Sequence, residues 1–419
     1  MPRNSMRAPN PLGSAELPTD VLTALVGDSV GRPVELDSWK VEDTGLAPTA
    51  VSTAAVLRVA GTAHTGATRL PWSIFVKILQ SPRHFRYIDL LPADLRDEFI
   101  AGVPWRDEAD ALGSELPSRL PPGIRTPRVL RLDELGDDRI AMWLEDVVIA
   151  EAGWDRERFT RAARLLGRWA ARRSGAAIPP TLRARAGHTL RMLAAGRLER
   201  MAFPQLRDDH LWAHPLLAAT GTLRDDLRAL AAQVPEMLDH LDALPQAIGH
   251  GDACPQNLLV PADAPDTFVA VDICWQWPQP IGYDLGQLLV GLAHTGDIDI
   301  AALPSLHDAL VSAYLAGLHA EGCRAGAAEV TYGCDASLVI RSCFTAIPFE
   351  KLTEPITANS ESDVRRGIAL TRYLADLGLH TITKDSPPRR CRQFRMSNVY
   401  RDDHPGAPAD PAAQQGSSR

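Results

Sequence analysis

The 419-residue sequence predicts an α+β chain in two parts, an antiparallel-sheet lobe followed by a larger, mostly helical lobe. Three observations predict it. Short β-rich runs fill the stretch from Val34 to Val147, apolar residues recur at helical spacing from Phe159 onward, and a single β-like island interrupts the helical part near residues 258–271. With 45% hydrophobic and 23% charged residues the composition is that of an ordinary globular protein. A formal charge of −8 argues against nucleic acid or an anionic membrane as partner. The six cysteines include no C-x-x-C pair, which excludes a zinc ribbon and a dithiol redox motif and leaves reduced core thiols as the expectation. Residues Met1–Asp20 lack the apolar core of a signal peptide, and no stretch runs 18 apolar residues without a charge, so the sequence reads as cytoplasmic.

In chain order, residues 1–20 are proline-rich and read as a disordered tail. Residues 21–146 form the sheet lobe, with strands at Ala54–Val59, Trp72–Leu79 and Ile140–Leu144. A long connection from Ser81 to Val103 carries a small helix around Leu95–Ile100, and Pro104-Trp105-Arg106-Asp107-Glu108 starts the next one. Residues 147–384 form the helical lobe, in which Phe159, Ala162, Ala163, Leu166, Trp169 and Ala170 mark one helix and Leu223 to Leu241 another. Inside it, Leu258-Leu259-Val260 and Phe268-Val269-Ala270-Val271 flank the turn-forming stretch Pro261–Asp266 and read as a hairpin. Residues 385–419 read as a second disordered tail, whose cluster Arg389-Arg390-Cys391-Arg392 is a solvated charge run.

The polar residues at the hairpin carry the chemistry. His250-Gly251-Asp252-Ala253-Cys254-Pro255-Gln256-Asn257 precedes its first strand and Asp272 follows its second, so pairing brings Asp252, Asn257 and Asp272 to one mouth. Phosphoryl transfer needs a carboxylate for the acceptor hydroxyl and hard oxygen ligands for Mg²⁺, and these three supply those roles. The plain alternative is a loop cap that holds the hairpin. His250 is expected to brace the loop through its ring. Lys77 stands out on the nucleotide side: it is one of four lysines against forty arginines and interrupts the apolar strand Ile74–Leu79, where a charge is costly unless paired.

The pattern His-Gly-Asp-x-x-x-x-Asn, then Val271-Asp272-Ile273, then Gly282-Tyr283-Asp284-Leu285, resembles the aminoglycoside phosphotransferase and choline kinase superfamily of small-molecule kinases. The sharp matches lie within residues 248–290, and Ala253-Cys254 and Gln256 depart from the usual loop. Gly251 replaces the arginine of protein kinases, and only twelve positions separate Asp272 from Asp284, too few for an activation loop. The resemblance implies a two-lobed protein-kinase-like fold, ATP or GTP with Mg²⁺, Asp252 as catalytic residue, and Asn257 and Asp272 as metal ligands. It places Lys77 on the α/β phosphates with a helix acid as its partner, for which Glu108 is chosen over Asp107 and Glu115. It puts a phosphate-covering turn around Thr44–Thr53, where the hydroxyls of Ser52 and Thr53 or an ordinary polar hairpin are the two readings. The linker Met142–Val147, including Leu144 and Glu145, would meet the adenine edge, with Trp143 read as core. Asp284 steadies the catalytic loop and is also a local N-cap.

The acceptor is a small-molecule hydroxyl. An aminoglycoside antibiotic would need carboxylates, for which Asp208, Asp209, Asp297, Asp299, Glu350 and Glu354 are candidates, and a choline-type amino alcohol would need an aromatic cage, for which Trp275 and Trp277 are candidates. A sugar kinase and a non-catalytic nucleotide- or metabolite-binding member of the same fold are the remaining alternatives. The arginine- and alanine-rich bias fits a bacterial origin, where such kinases inactivate antibiotics or serve metabolite pathways.

Overall fold

A computed structural model describes residues 11–45, 51–151 and 153–384 of the chain. The centre of the expected phosphate-covering turn (46–50), the first ten residues and the arginine cluster beyond Lys384 lie outside the described residues. The first lobe opens with α1 (Thr19–Val30) and is built on strands β1 (Glu35–Asp43), β2 (Thr53–Thr65) and β3 (Thr68–Gln80). Helices α2 (Ala93–Gly102) and α3 (Asp107–Leu112) follow, then β4 (Ile124–Arg125), β5 (Val129–Gly136) and β6 (Arg139–Glu145). Five of these strands make one antiparallel sheet in the order β1-β2-β3-β6-β5.

Alternation along β3 decides which way Lys77 points. Trp72, Ile74, Val76 and Ile78 face outward with Ala141 and Trp143 of β6, and this face is covered by Leu22, Leu25 and Val26 of α1. The intervening Phe75 and Leu79 of β3 face the helical lobe with Ile140, Met142 and Leu144 of β6, and Lys77 lies on that side of the strand. Trp143 is core, as its sequence setting suggests.

The expectation of a disordered tail over residues 1–20 is corrected for its second half. Leu12 and Ala15 are buried against the outer face of the sheet together with α1, because that face would otherwise leave Trp72, Ile74 and Val76 open to water. The prolines at 11 and 18 obscure this in the sequence.

The second lobe is helical, with α4 (Arg156–Arg172), α5 (His188–Leu193), α6 (Leu223–Ala243), α7 (Tyr283–Thr295), α8 (Leu303–Ala320), α9 (Ala327–Leu338) and α10 (Ala358–Lys384). Two wider, π-helical stretches continue α5 and α9, at Ala194–Ala202 and Val339–Cys343. Asp155 caps α4 by accepting from the Arg158 amide at 2.8 Å, and Phe159, Ala162, Ala163, Leu166, Trp169 and Ala170 form its buried stripe. The hairpin pairs β7 (Leu258–Leu259) with β8 (Phe268–Ala270), and β4 extends it in parallel through Ile124 and Phe268. Among the described residues no helix is long and apolar enough to cross a membrane.

Two glycines let α4 and α8 approach to backbone contact. A Cβ at Gly167 would sit 2.2 Å from the Tyr314 carbonyl oxygen, and one at Gly317 would sit 2.1 Å from that of Arg164. Gly167→Ala is therefore expected to lower stability by about 1–3 kcal/mol through overpacking, read as a shift in the urea midpoint. Gly196→Ala, where nothing lies within 4 Å, is the control and is expected to be neutral or stabilising.

Candidate active site

The motif residues converge where β3, α3 and the hairpin meet. Lys77 Nζ donates to Glu108 Oε2 at 2.6 Å and also to Asp272 Oδ1. The Asp272 amide donates to Glu108 Oε1 at 2.9 Å, so Glu108 holds both the lysine and the backbone of the metal-ligand candidate. Burial alone would lower the Lys77 ammonium, but the charges of Glu108 and Asp272 outweigh it and hold Lys77 above the ordinary lysine value. Of the helix acids weighed for this role, Glu108 is the one in contact. Asp107 instead accepts from the Gln276 amide at 2.8 Å, and Glu115 pairs with Arg119 on the surface.

The loop before the hairpin is held from below. The Asp284 carboxylate accepts from the backbone amides of His250 and Gly251, both at 2.9 Å. Its expected role as N-cap is corrected: Gly282 occupies that position, and the Asp284 side chain turns to the loop because two buried amides there lack another acceptor. Gly251 has φ +91°, and a Cβ there would meet the Cys274 carbonyl oxygen at 1.9 Å, so the site admits no side chain. His250 is buried and its Nδ1 accepts from the Asp252 amide at 3.3 Å. Burial lowers its pKa and keeps the ring neutral, which suits a brace.

Asn257 Nδ2 donates to the Asp252 carbonyl at 2.9 Å and lies 3.5 Å from its carboxylate. Asp272 has φ +55°, a strained position for a residue with a side chain, and keeps one carboxylate oxygen clear of Lys77. The side chains of Asp252 and Asp272 are 39% and 50% exposed, whereas Lys77, Glu108 and Asn257 are buried, so the two aspartate carboxylates are the groups a ligand reaches first. Burial raises the Glu108 pKa, opposed by the Lys77 charge. An amide oxygen and a carboxylate oxygen beside it suit a hard divalent cation such as Mg²⁺.

Sequence reasoning missed Arg341. It lies in the π-helical stretch after α9, donates to Asp252 Oδ1 at 3.1 Å and to the Gly251 carbonyl at 3.3 Å, and stacks 4.5 Å above the Tyr283 ring. The available signal was the one that singled out Lys77, a lone charge inside an apolar run, here Leu338 to Phe344. Cys254 and Cys274 flank the site, but burial raises the Cys254 thiol to about 12 and Cys274 well above its ordinary value, so both stay protonated.

The nucleotide-side residues are less gathered. Ser52 and Thr53 sit at the entry to β2, opposite Leu79 and Gln80. The Ser52 carbonyl accepts from the Gln80 amide at 2.9 Å, and Thr53 is buried. Leu144 is buried in β6. The Glu145 carboxylate clasps Arg125 at 2.7 and 2.8 Å, and its amide donates to the Arg128 carbonyl at 2.9 Å, which removes that N–H from an adenine edge. Trp275 and Trp277 meet edge to face at 6.1 Å, but Arg185 already lies 4.9 Å over Trp277.

No family model matches the chain, and no curated protein matches it. The solved structures to which it is similar include aminoglycoside phosphotransferases and a choline kinase. One is an aminoglycoside phosphotransferase from Alicyclobacillus acidocaldarius, 14% identical over 91% of this chain and 99% of that one, with a TM-score of 0.45. A second is aminoglycoside phosphotransferase APH(3'')-Id from Streptomyces rimosus in complex with ADP and streptomycin, 19% identical over 71% and 94%, with a TM-score of 0.38. A third is choline kinase LicA from Streptococcus pneumoniae, 11% identical over 85% and 99%, with a TM-score of 0.39.

Burial pushes the Asp107 carboxyl up to about 6, partly offset by the Gln276 amide and the Arg185 charge. The folded chain thus holds this proton more tightly than the unfolded one. Its contribution to stability is most favourable at low pH and falls as pH rises from roughly 4 to 6. Asp107→Asn keeps an acceptor for Gln276, and is expected to stabilise the protein by about 2 kcal/mol at pH 8 and by nothing measurable at pH 4, read from denaturant midpoints at the two pH values.

Proposed function

We propose that the protein is a small-molecule kinase that transfers the γ-phosphoryl group of ATP or GTP to a hydroxyl. The observation that carries this reading is the convergence of Asp252 and Asn257 with the Lys77–Glu108–Asp272 cluster at the mouth of one hairpin. In this reading Asp252 orients the acceptor hydroxyl and takes its proton. The new bond forms between the acceptor oxygen and the γ-phosphorus, the bond from that phosphorus to the β-bridging oxygen breaks, and ADP or GDP leaves with the electron pair. Lys77, fixed by Glu108, meets the α and β phosphates. Asn257 and Asp272 would hold Mg²⁺, which neutralises phosphate charge when bound. Most of the rate then comes from positioning and charge neutralisation, since the nearby thiols stay protonated.

Ser52 and Thr53 remain candidates for phosphate oxygens, and the linker after Leu144 for the adenine edge, through amides other than that of Glu145, which donates to Arg128. The acceptor classes expected from the sequence resemblance are aminoglycosides, amino alcohols and sugars, with antibiotic inactivation in a bacterial cytoplasm as one setting.

The test is ATP consumption by the purified protein with and without Mg²⁺. Asp252→Ala is expected to lower kcat by about a thousandfold while nucleotide affinity stays near normal, and an unchanged kcat removes Asp252 from its role. Lys77→Met is expected to weaken Mg²⁺-dependent nucleotide binding. Slow acceptor-free hydrolysis separates this reading from a non-catalytic nucleotide binder, which binds without turnover.

A further inference from the structure

Among the described residues, one group of histidine, cysteine and acid side chains is gathered closely enough to share an ion, and it uses none of the active-site residues. It comprises His307 of α8 with Cys334 and Asp335 of α9, whose donor atoms all lie within 4.8 Å of one another. All three residues are buried. His307 Nε2 and Asp335 Oδ1 are 2.6 Å apart. Each is also oriented from behind: His307 Nδ1 lies 3.5 Å from Asp308 Oδ1, and the Thr381 hydroxyl of α10 lies 3.4 Å from Asp335 Oδ2. Two turns before Thr381 on α10, the Tyr373 hydroxyl is buried and has no partner among the described residues.

A carboxylate as deep as that of Asp335 demands a positive partner. One such partner is the proton of His307: burial lowers its pKa, but the bonds to Asp335 and Cys334 outweigh burial and raise it to about 11. An imidazolium–carboxylate pair needs only two groups, however, and gains little over apolar packing of the same volume. This group has more than a pair requires. Its third donor is a thiol, which adds nothing to an ion pair and is a first-rate ligand for a metal. Asp308 stands at the ring nitrogen that does not face Asp335, which is how the free nitrogen of a metal-bound histidine is held. Asp308 is 89% exposed, so that side of the ring also opens to solvent and gives an ion a way in. Nitrogen, sulfur and oxygen donors together favour Zn²⁺ over Mg²⁺ or Ca²⁺, which take oxygen alone.

We propose that His307, Cys334 and Asp335 form a structural Zn²⁺ site, with the fourth position taken by water or the Tyr373 hydroxyl. Coordination through His307 Nε2, Cys334 Sγ and an Asp335 oxygen releases the imidazolium and thiol protons to solvent. The ion clasps α8 to α9. Since α9 runs on into the stretch that carries Arg341 to Asp252, the clasp also steadies that arm of the active site. The site does not rest on the kinase reading, and no C-x-x-C spacing announces it in the sequence.

The experiment dialyses the metal-stripped full chain against Zn²⁺ in excess Mg²⁺, which competes for sites made of oxygen alone, and repeats the titration with Co²⁺ as a spectroscopic probe. One Zn²⁺ per chain is expected, with a dissociation constant below about 10 µM. The Co²⁺ complex is expected to show the charge-transfer absorption of a thiolate ligand. Cys334→Ser is expected to remove that absorption, and both Cys334→Ser and His307→Gln are expected to weaken Zn²⁺ binding at least about tenfold. Cys323→Ser is the control and is expected to leave both readings unchanged. Because the first two variants can lose their fold, the wild-type chain is also alkylated in mild denaturant with and without Zn²⁺, and peptide mapping is expected to show Cys334 as the thiol that Zn²⁺ protects. Weaker binding by the wild-type chain, a Co²⁺ complex without thiolate absorption, or protection of another cysteine in place of Cys334 overturns the site and leaves His307 and Asp335 as an ion pair alone.

Discussion

The structure depends on one buried cation. Lys77 is on a strand of the first lobe, Glu108 on the short helix that follows the insertion, and Asp272 on the loop that leaves the hairpin of the second lobe. A lysine taken out of water alone would be neutral or would unfold its strand, and a buried Glu108 alone would cost as much. Each is tolerated because the other is there, and through Asp272 the pair ties the sheet to the loop that leaves the hairpin. The Asp272 amide, bound to Glu108, ties the backbone of the second lobe into the same cluster. This arrangement aligns the lobes more than it stabilises them, since an ion triad of this kind gains little over well-packed apolar residues but admits one geometry.

A second set of contacts makes the loop rigid around that cluster. Asp284 satisfies two amides beneath it, Asn257 satisfies a carbonyl within it, and Arg341 reaches it from the far side. Gly251 adopts its left-handed backbone freely, and the strained backbone at Asp272 is held by the bonds of its amide to Glu108 and of its carboxylate to Lys77. Asp252 is thereby held from both its backbone and its carboxylate before any ligand arrives, a preorganised acceptor group.

Much of this was legible in the sequence because the relevant signals are local. The His250–Asn257 spacing, the hairpin runs and the lone lysine in an apolar strand are short-range patterns, and the structure brings Asp252, Asn257, Asp272, Lys77 and Glu108 into one place. What escaped depends on contacts distant in sequence. Leu12 and Ala15 look like tail until the outer face of the sheet is known to need a cover. Strand β1, Glu35–Asp43, is mostly polar because it is an edge, so it shows no apolar alternation. Arg341 lies 89 positions from Asp252, and nothing in its neighbourhood names its partner. Asp284 carries two readings in the sequence, a brace for the loop and a cap for its own helix, and the loop's two amides take its carboxylate while Gly282 holds the cap position.

The widened turn at Val339–Cys343 has a consequence for how the surroundings of Asp252 can change over time. Each residue of an α-helix turns the chain by about 100°, so losing a single codon from that stretch would tighten the coil and swing Arg341 off Asp252, leaving the helices on either side in register with their own neighbours. Diversification at this cleft is thus open to insertions and deletions as well as to substitutions, and lineages descended from a common ancestor can part company in what they bind through length alone.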